Sequence, residues 1–128
     1  MSTALADDQL IVALRLPAWP RGRRWAFREF SRRRGDFALA GVAVFYDLDE
    51  LGQAKNAHIG VIGACTRPHR VPRAEAVLDG QIPGTAIFQQ AARALEEALD
   101  PPGDLHAPAA YRRSLAGALL ERALERTL

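Results

Sequence analysis

Phe37-Ala-Leu-Ala-Gly-Val-Ala-Val-Phe-Tyr46 is an almost uninterrupted apolar run. Its Val, Ala and aromatic residues predict a central strand buried on both faces. With Asp36 as a cap, the first residues could instead form a helical turn. On the N-terminal side, Trp25 to Ser31 alternates, with Trp25, Phe27 and Glu29 on one side and Ala26, Arg28 and Phe30 on the other. That predicts a second strand whose aromatics belong to the core. Arg34-Gly35-Asp36 is the tight connection between the two. Earlier still, Gln9 to Leu16 carries Ile11, Val12 and Leu14 and is closed by Pro17, again the pattern of a strand. Pro17-Ala-Trp-Pro-Arg-Gly22 reads as a turn. On the C-terminal side, Asp47 to Gly52 is a hairpin-type loop, and Ala54 to Thr66 is a further strand. Gly60 and Gly63 inside it mark a bulge or a close backbone approach.

After Pro68 the apolar period changes from two to 3.6. Pro72 opens a short helix over Arg73 to Leu78, stopped by Gly80. Thr85 is a suitable N-cap for Ala86 to Leu99, where Ile87, Phe88, Ala91, Ala92, Leu95, Ala98 and Leu99 form one stripe. Asp100-Pro101-Pro102-Gly103 ends it. Pro108 introduces a last helix, with Tyr111, Leu115, Ala118, Leu119, Ala123 and Leu124 at helical spacing. Strands precede helices without alternation, which predicts an α+β domain. Its mainly antiparallel sheet of three to four strands carries three helices on one face.

The chain has 128 residues, 48% hydrophobic and 25% charged, the composition of an ordinary globular domain. No repeat or linker divides it, so we expect an N-terminal tail over residues 1–8 and one domain over 9–128. A single cysteine, Cys65, excludes an internal disulfide framework. No apolar run approaches the ~20 residues of a membrane span. Met1 to Asp8 is short and acidic, unlike a signal peptide. These features predict a cytoplasmic, reducing setting.

Seventeen basic residues include one lysine, Lys55. Arg15, Arg21, Arg23, Arg24, Arg28, Arg32, Arg33 and Arg34 crowd into one segment with a single acid, Glu29. Forked guanidinium bonds suit a phosphate-bearing ligand or an acidic protein surface, while solvated strand faces explain the same residues without a ligand. Chemistry is otherwise sparse. His58, Cys65 and His69 are near in sequence, but one cysteine and a remote His106 do not make the paired ligand set of a structural metal site. Cys65 lacks a fixed base, and Ser31 and Ser114 lack a Gly-x-Ser-x-Gly setting. Asp47 with Asp49, and Glu96 with Glu97, read as solvated carboxylates. Gly60-Val-Ile-Gly63 is half a dinucleotide fingerprint, inside a strand rather than at a strand-to-helix turn. We assign no catalytic residue and no metal ligand. Trp19, Trp25, Phe27 and Phe30 among arginines are the ingredients of a nucleic-acid stacking platform, but a net charge of +2 argues against a dedicated binder.

Four stretches carry a family resemblance. Ala26-Phe-Arg-Glu-Phe-Ser-Arg-Arg-Arg-Gly-Asp-Phe-Ala-Leu-Ala-Gly-Val-Ala-Val44 is similar to the opening of the C-terminal domain of the flavin (medium) subunit of molybdenum hydroxylases, the carbon monoxide dehydrogenase and xanthine dehydrogenase group. Gly63-Ala-Cys-Thr-Arg-Pro-His-Arg70 resembles that family's Gly…Arg-Pro-x-Arg turn. Arg73-Ala-Glu-Ala-Val-Leu-Asp-Gly80 resembles its Ala-Glu…Leu-x-Gly helix, and Ala110-Tyr-Arg-Arg-Ser-Leu-Ala116 its Tyr-Arg-Arg-x-Leu helix start. Leu10 to Pro17 matches the strand ending in Leu-Pro that enters the domain.

The resemblance implies an α+β domain packed against an upstream two-part FAD-binding region. It implies an oxidoreductase assembly in which electrons pass from a molybdenum-binding large subunit, through an iron–sulfur small subunit, to FAD and then to an acceptor. Arg28 falls where relatives carry a basic residue near the flavin, and is the one candidate cofactor-binding residue. Arg32, Arg33, Asp36, Arg67, Arg70, Arg112 and Arg113 are read as fold-holding or subunit-docking groups. The Gly-rich pyrophosphate loops of the FAD region are absent from this sequence. We therefore expect a separately encoded or truncated domain, without FAD and inactive on its own. The rival is a free-standing basic module for nucleic acid or an acidic protein.

Overall fold

The computed structural model describes residues 4–128; the part of the expected tail at residues 1–3 lies outside them. Four strands, β1 (Arg24–Phe30), β2 (Ala40–Leu48), β3 (Ala54–Ile62) and β4 (His69–Arg70), form one antiparallel sheet in sequential order. Helices α1 (Pro72–Leu78), α2 (Thr85–Ala98) and α3 (Ala109–Glu125) follow. α1 packs on β3, α3 lies across β1 and β2, and α2 bridges α1 and α3. The expected fold class is the one observed: an α+β layer pair with all helices on one side.

Alternation builds the core. Val42, Val44 and Tyr46 on β2 and Ile59 and Val61 on β3 point toward the helices, where they meet Leu78, Phe88, Leu95, Leu120 and Leu124. Each is essentially removed from water, worth roughly 1.5–3 kcal/mol per large apolar side chain. Between Phe45 and Asp47 the β2–β3 register shifts, so Asn56 and Ala57 together face Tyr46. Asn56 adopts φ +55°, the left-handed conformation that Asn tolerates better than most side chains. The bulge changes the inward phase of β3, which is why both Ala54 and Ala57 are buried.

Polar side chains lock the layers. Glu75 on α1 is 5% exposed. Its Oε1 accepts the Ile59 N–H at 2.9 Å, and Arg70 donates to both carboxylate oxygens at 2.9 and 2.7 Å. Asp79 accepts the Ala57 N–H at 2.9 Å. The outer edge of β3 is thus satisfied by β4, by Glu75 of α1 and by Asp79 just after it. Tyr46 and Thr127 share a buried hydroxyl hydrogen bond of 2.6 Å that pins the end of α3. Arg113 donates to the Leu99 carbonyl at 3.0 Å, closing the end of α2.

Several expectations need correction. Gln9 to Leu16 is not a strand here: it enters no ladder, and Leu10, Val12, Leu14 and Leu16 are all more than four-fifths exposed. Strand-forming side chains do not make a strand without a neighbouring edge. β2 begins at Ala40, with Phe37 exposed, no helical turn before it, and only one face fully covered; Ala43 is open. The stretch reads as doubly buried because Ala and Gly occupy its open side. The third strand stops at Ile62 because Gly63 turns away with φ +72°. Thr85 is the first helical residue and Gly84 the N-cap, without a side-chain cap bond. Ala98 is exposed, so the α2 stripe is narrower than its apolar count. On α3 Leu119, Ala123 and Leu124 are buried as expected, but Arg112, Ala116, Gly117 and Leu120 are covered as well, and Tyr111 and Ala118 are exposed. Trp25, Phe27 and Phe30, expected in the core, are 62%, 49% and 43% exposed.

Candidate functional site

The sheet face opposite the helices has no second layer among the described residues. In register across it stand Trp25, Phe45 and His58; then Phe27, Ala43 and Gly60; then Glu29, Gly41 and Ile62. Small residues in the middle rows leave the flanking aromatics standing clear. At Gly41 a β-carbon would come within 2.8 Å of the Ile62 side chain, so glycine lets that side chain lie across the sheet.

One end of the face is built more firmly. Phe45 stacks on His58 with ring centres 4.4 Å apart, and Trp19 meets Phe45 edge-on at 5.5 Å. The Arg23 guanidinium lies 4.4 Å from the Phe45 ring centre and 5.1 Å from that of Trp19. The same guanidinium forks onto Asp47 at 2.9 and 2.8 Å. That fork raises the Arg23 pKa and holds the Asp47 carboxyl below its ordinary value. Between Trp19 and Trp25 an apolar hollow of about 390 Å³ remains open. Such a patch is suited to a planar, apolar partner surface rather than to proton transfer.

The sequence-assigned residues do not all gather here. Arg28 leaves β1 on the other side, with Ala26, toward α3; it is half-buried, and its Nε is buried without a hydrogen-bond partner. Arg32 approaches Asp36 at 4.0 Å, and Arg33 and Arg67 are exposed. Arg70, Arg112 and Arg113 hold the fold: Arg112, 6% exposed, donates to the carbonyls of Leu39 and Gly63 at 2.8 and 3.1 Å and to Asp104 at 2.7 Å. The Arg112 Nη2 bond, with backbone N–H groups of Ala107 and His106, lowers the Asp104 pKa to about 2. His58 and His69 each face a backbone carbonyl, of Asn56 and Arg67. Cys65 sits against the Val61 carbonyl, its pKa raised by burial. Among the described residues no three His, Cys, Asp or Glu side chains cluster as a metal site. No helix among the described residues is long and apolar enough to cross a membrane. Sequence reading missed the Trp19–Phe45–Arg23 stack, for which a tryptophan between two prolines was the one available signal.

Residues 25–127 match the model of the CO dehydrogenase flavoprotein C-terminal domain. The chain is 35% identical, over 98% of its length, to the 6-hydroxypseudooxynicotine dehydrogenase complex subunit alpha of Paenarthrobacter nicotinovorans, covering 43% of that protein. It is 32% identical over 97% of its length to the carbon monoxide dehydrogenase medium chain of Afipia carboxidovorans, again covering 43% of it. The carbon monoxide dehydrogenase structure from Hydrogenophaga pseudoflava superposes with a TM-score of 0.81 at 31% identity, over 88% of this chain and 39% of that one. The chain therefore spans under half the length of these relatives. Its residues, its fold and these matches agree: the chain belongs to the CO dehydrogenase flavoprotein C-terminal domain family.

Proposed function

We propose that this domain serves in the flavin subunit of a molybdenum-hydroxylase oxidoreductase, as a wall near an FAD gripped by an upstream region and as a docking surface within the assembly. The observation that carries the reading is the uncovered sheet face: a family of flavoprotein domains, and a sheet whose Trp25, Phe27 and Phe45 side has no partner layer among the described residues. The residues fit part of the cofactor. A flat aromatic surface suits a planar ring, whereas no Gly-rich strand-to-helix turn is present among the described residues for a pyrophosphate. When bound by the upstream region, FAD would supply the redox chemistry. This chain's groups would exclude water and supply charge.

Arg28 is the cation we assign to the flavin side. Half-buried on the side of β1 opposite Trp25 and Phe27, it would meet the cofactor at the edge of the sheet rather than on the open aromatic face. The large molybdenum-binding and small iron–sulfur subunits are the further partners this reading names, with electrons reaching FAD from the clusters. The test is purification of the chain alone and after co-expression with the upstream region of a relative's medium subunit. Alone it should be colourless; together they should retain one FAD per complex. A chain that binds FAD stoichiometrically by itself, or one that never joins the upstream region, sinks the reading.

A second reading is favoured by the exposure of Trp25 and Phe27 beside exposed Arg24: a platform for single-stranded nucleic acid. A mobility shift with RNA or DNA that weakens steeply with salt would support it.

A further inference from the structure

Glu96 and Glu97 are neighbours in sequence and read as a solvated pair, but α2 sends them different ways. Glu97 is exposed and takes a bond from Arg73 at 2.6 Å. Glu96 is half-buried in a groove between α2 and α3, a cavity of about 290 Å³. Gln89, Arg93 and Glu96 line it from α2, and Ser114, Gly117 and Glu121 from α3. Each set follows the three- to four-residue spacing of one helix face.

Two features set this groove apart. Five acids among the described residues are buried or half-buried: Asp47, Asp49, Glu75, Glu96 and Glu121. Asp47 takes the Arg23 fork, Glu75 the Arg70 fork, Asp49 the N–H groups of Leu51 and Gln53, and Glu121 the Gln89 amide. Glu96 alone of the five accepts no hydrogen bond from a described residue. Arg93 and Arg113 attract it only at longer range, and burial raises its pKa against them. The second feature is Gly117, in the interior of α3, where glycine is a poorer helix former than alanine. A β-carbon there would fall on the Glu96 carboxylate, so the glycine keeps open the slot in which that carboxylate lies.

We propose that the α2–α3 groove receives an arginine side chain presented by a partner protein, its guanidinium forked onto Glu96. A carboxylate withdrawn from water is matched by a cation, and a guanidinium brings two parallel donors where an ammonium brings a point charge. The same fork already holds Asp47 and Glu75 within this fold. Ala92 and Ala118 offer an apolar wall to the methylene stem, and Ser114 and Glu121 offer further acceptors. The volume lies below the roughly 300–1,000 Å³ of small-molecule sites, which suits one long side chain better than a cofactor. Gln89, Arg93, Ser114 and Ala118 at the mouth are exposed. A protein surface laid over them shields the ion pair from the water and salt that weaken exposed pairs. The site stands on the helix layer and does not depend on the flavin reading.

The isotope-labelled full chain is titrated with N-acetyl-arginine methylamide, with its lysine and citrulline counterparts, and with agmatine, while backbone amide shifts are followed by NMR. The capped arginine should shift the Glu96, Ser114 and Gly117 amides with half-saturation at about 10 mM, the weak end of specific binding. The lysine compound should bind at least about fivefold more weakly, and the uncharged citrulline compound should not saturate. Glu96→Gln should abolish the response while moving the melting temperature by less than about 3 °C. Gly117→Ala should weaken it by more than about fivefold with melting unchanged or higher, because alanine displaces the carboxylate yet favours helix. Glu97→Gln, whose carboxylate is already paired, should change nothing. An equal response to lysine, a response that survives Glu96→Gln, or no saturable shift below about 100 mM overturns the proposal. Agmatine binding more than about tenfold tighter than the capped arginine overturns it in favour of a free small molecule. A wild-type dimer by light scattering that Glu96→Gln dissociates overturns it in favour of a second copy of this chain.

Discussion

Arg112 on α3 donates to the carbonyl of Gly63, 3.1 Å away, at the point where β3 turns out of the sheet. The same Nη1 reaches the Leu39 carbonyl just before β2, and Nη2 reaches Asp104. One guanidinium therefore ties the start of α3 to the ends of two neighbouring strands and to the loop that precedes the helix. Replacing it with Met keeps the apolar stem and removes the donors, leaving two carbonyls short of partners. Arg112→Met should cost about 3 kcal/mol in denaturant unfolding, with an unchanged m value.

Asp104 gives the same junction a pH dependence. Its folded pKa is depressed to about 2 from an ordinary 3.8. Its contribution is therefore complete above about pH 5 and is lost as pH falls through 4 toward 2. Asp104→Asn should lower stability at pH 7, and its unfolding curve should converge with that of the wild type near pH 2. A constant difference from pH 7 to pH 2 would show that the carboxylate charge is not what matters.

Gly63 is required by geometry rather than by flexibility. Its φ is +72°, and a β-carbon there would lie 2.5 Å from the Ala38 carbonyl oxygen. Gly63→Ala should destabilise by more than 2 kcal/mol, on the order expected for a strained backbone plus overpacking. Gly35→Ala, at φ +83° but with open space around it, should cost only about 1 kcal/mol. Thermal melts of the two variants side by side separate the two causes.

Glu75 is a buried carboxylate whose role is structural. Burial alone would raise its pKa, but the Arg70 fork and the Ile59 N–H outweigh it and hold the value below normal. Glu75→Gln retains an acceptor for Ile59 and loses the ionic fork. Glu75→Ala loses both and leaves a strand N–H unpaired. The alanine variant should be destabilised by about 2–3 kcal/mol and the glutamine variant by roughly half as much. Equal losses would assign the whole effect to Arg70.

Trp25 and Phe27 should behave in the opposite sense. Both are largely exposed, so Trp25→Ser and Phe27→Ser should shift the melting of the chain alone by less than about 0.5 kcal/mol. Under the proposed function, the same changes should weaken its association with the flavin-binding region by at least tenfold. Association unaffected by either would move the interface elsewhere.

The order of the three long strands and three helices, the connection at Gly35, the stop at Gly80 and the fold class were legible from residue pattern, because period and turn chemistry are local properties; the short β4 was not. The family was legible as well, from four short motifs in register. The fold-holding role of Arg112 was legible only through that resemblance; nothing local tells a buried arginine from the half-buried Arg113 beside it. What the chain alone could not reveal depends on which surfaces meet. Alternation places Trp25 and Phe27 opposite Ala26 but does not say which side receives helices. Strand formers in residues 10–16 state a readiness to pair but supply no neighbour. Burial is a property of two surfaces, and only the tertiary structure shows that one face of the sheet, and one strand-like segment, have no partner among the described residues.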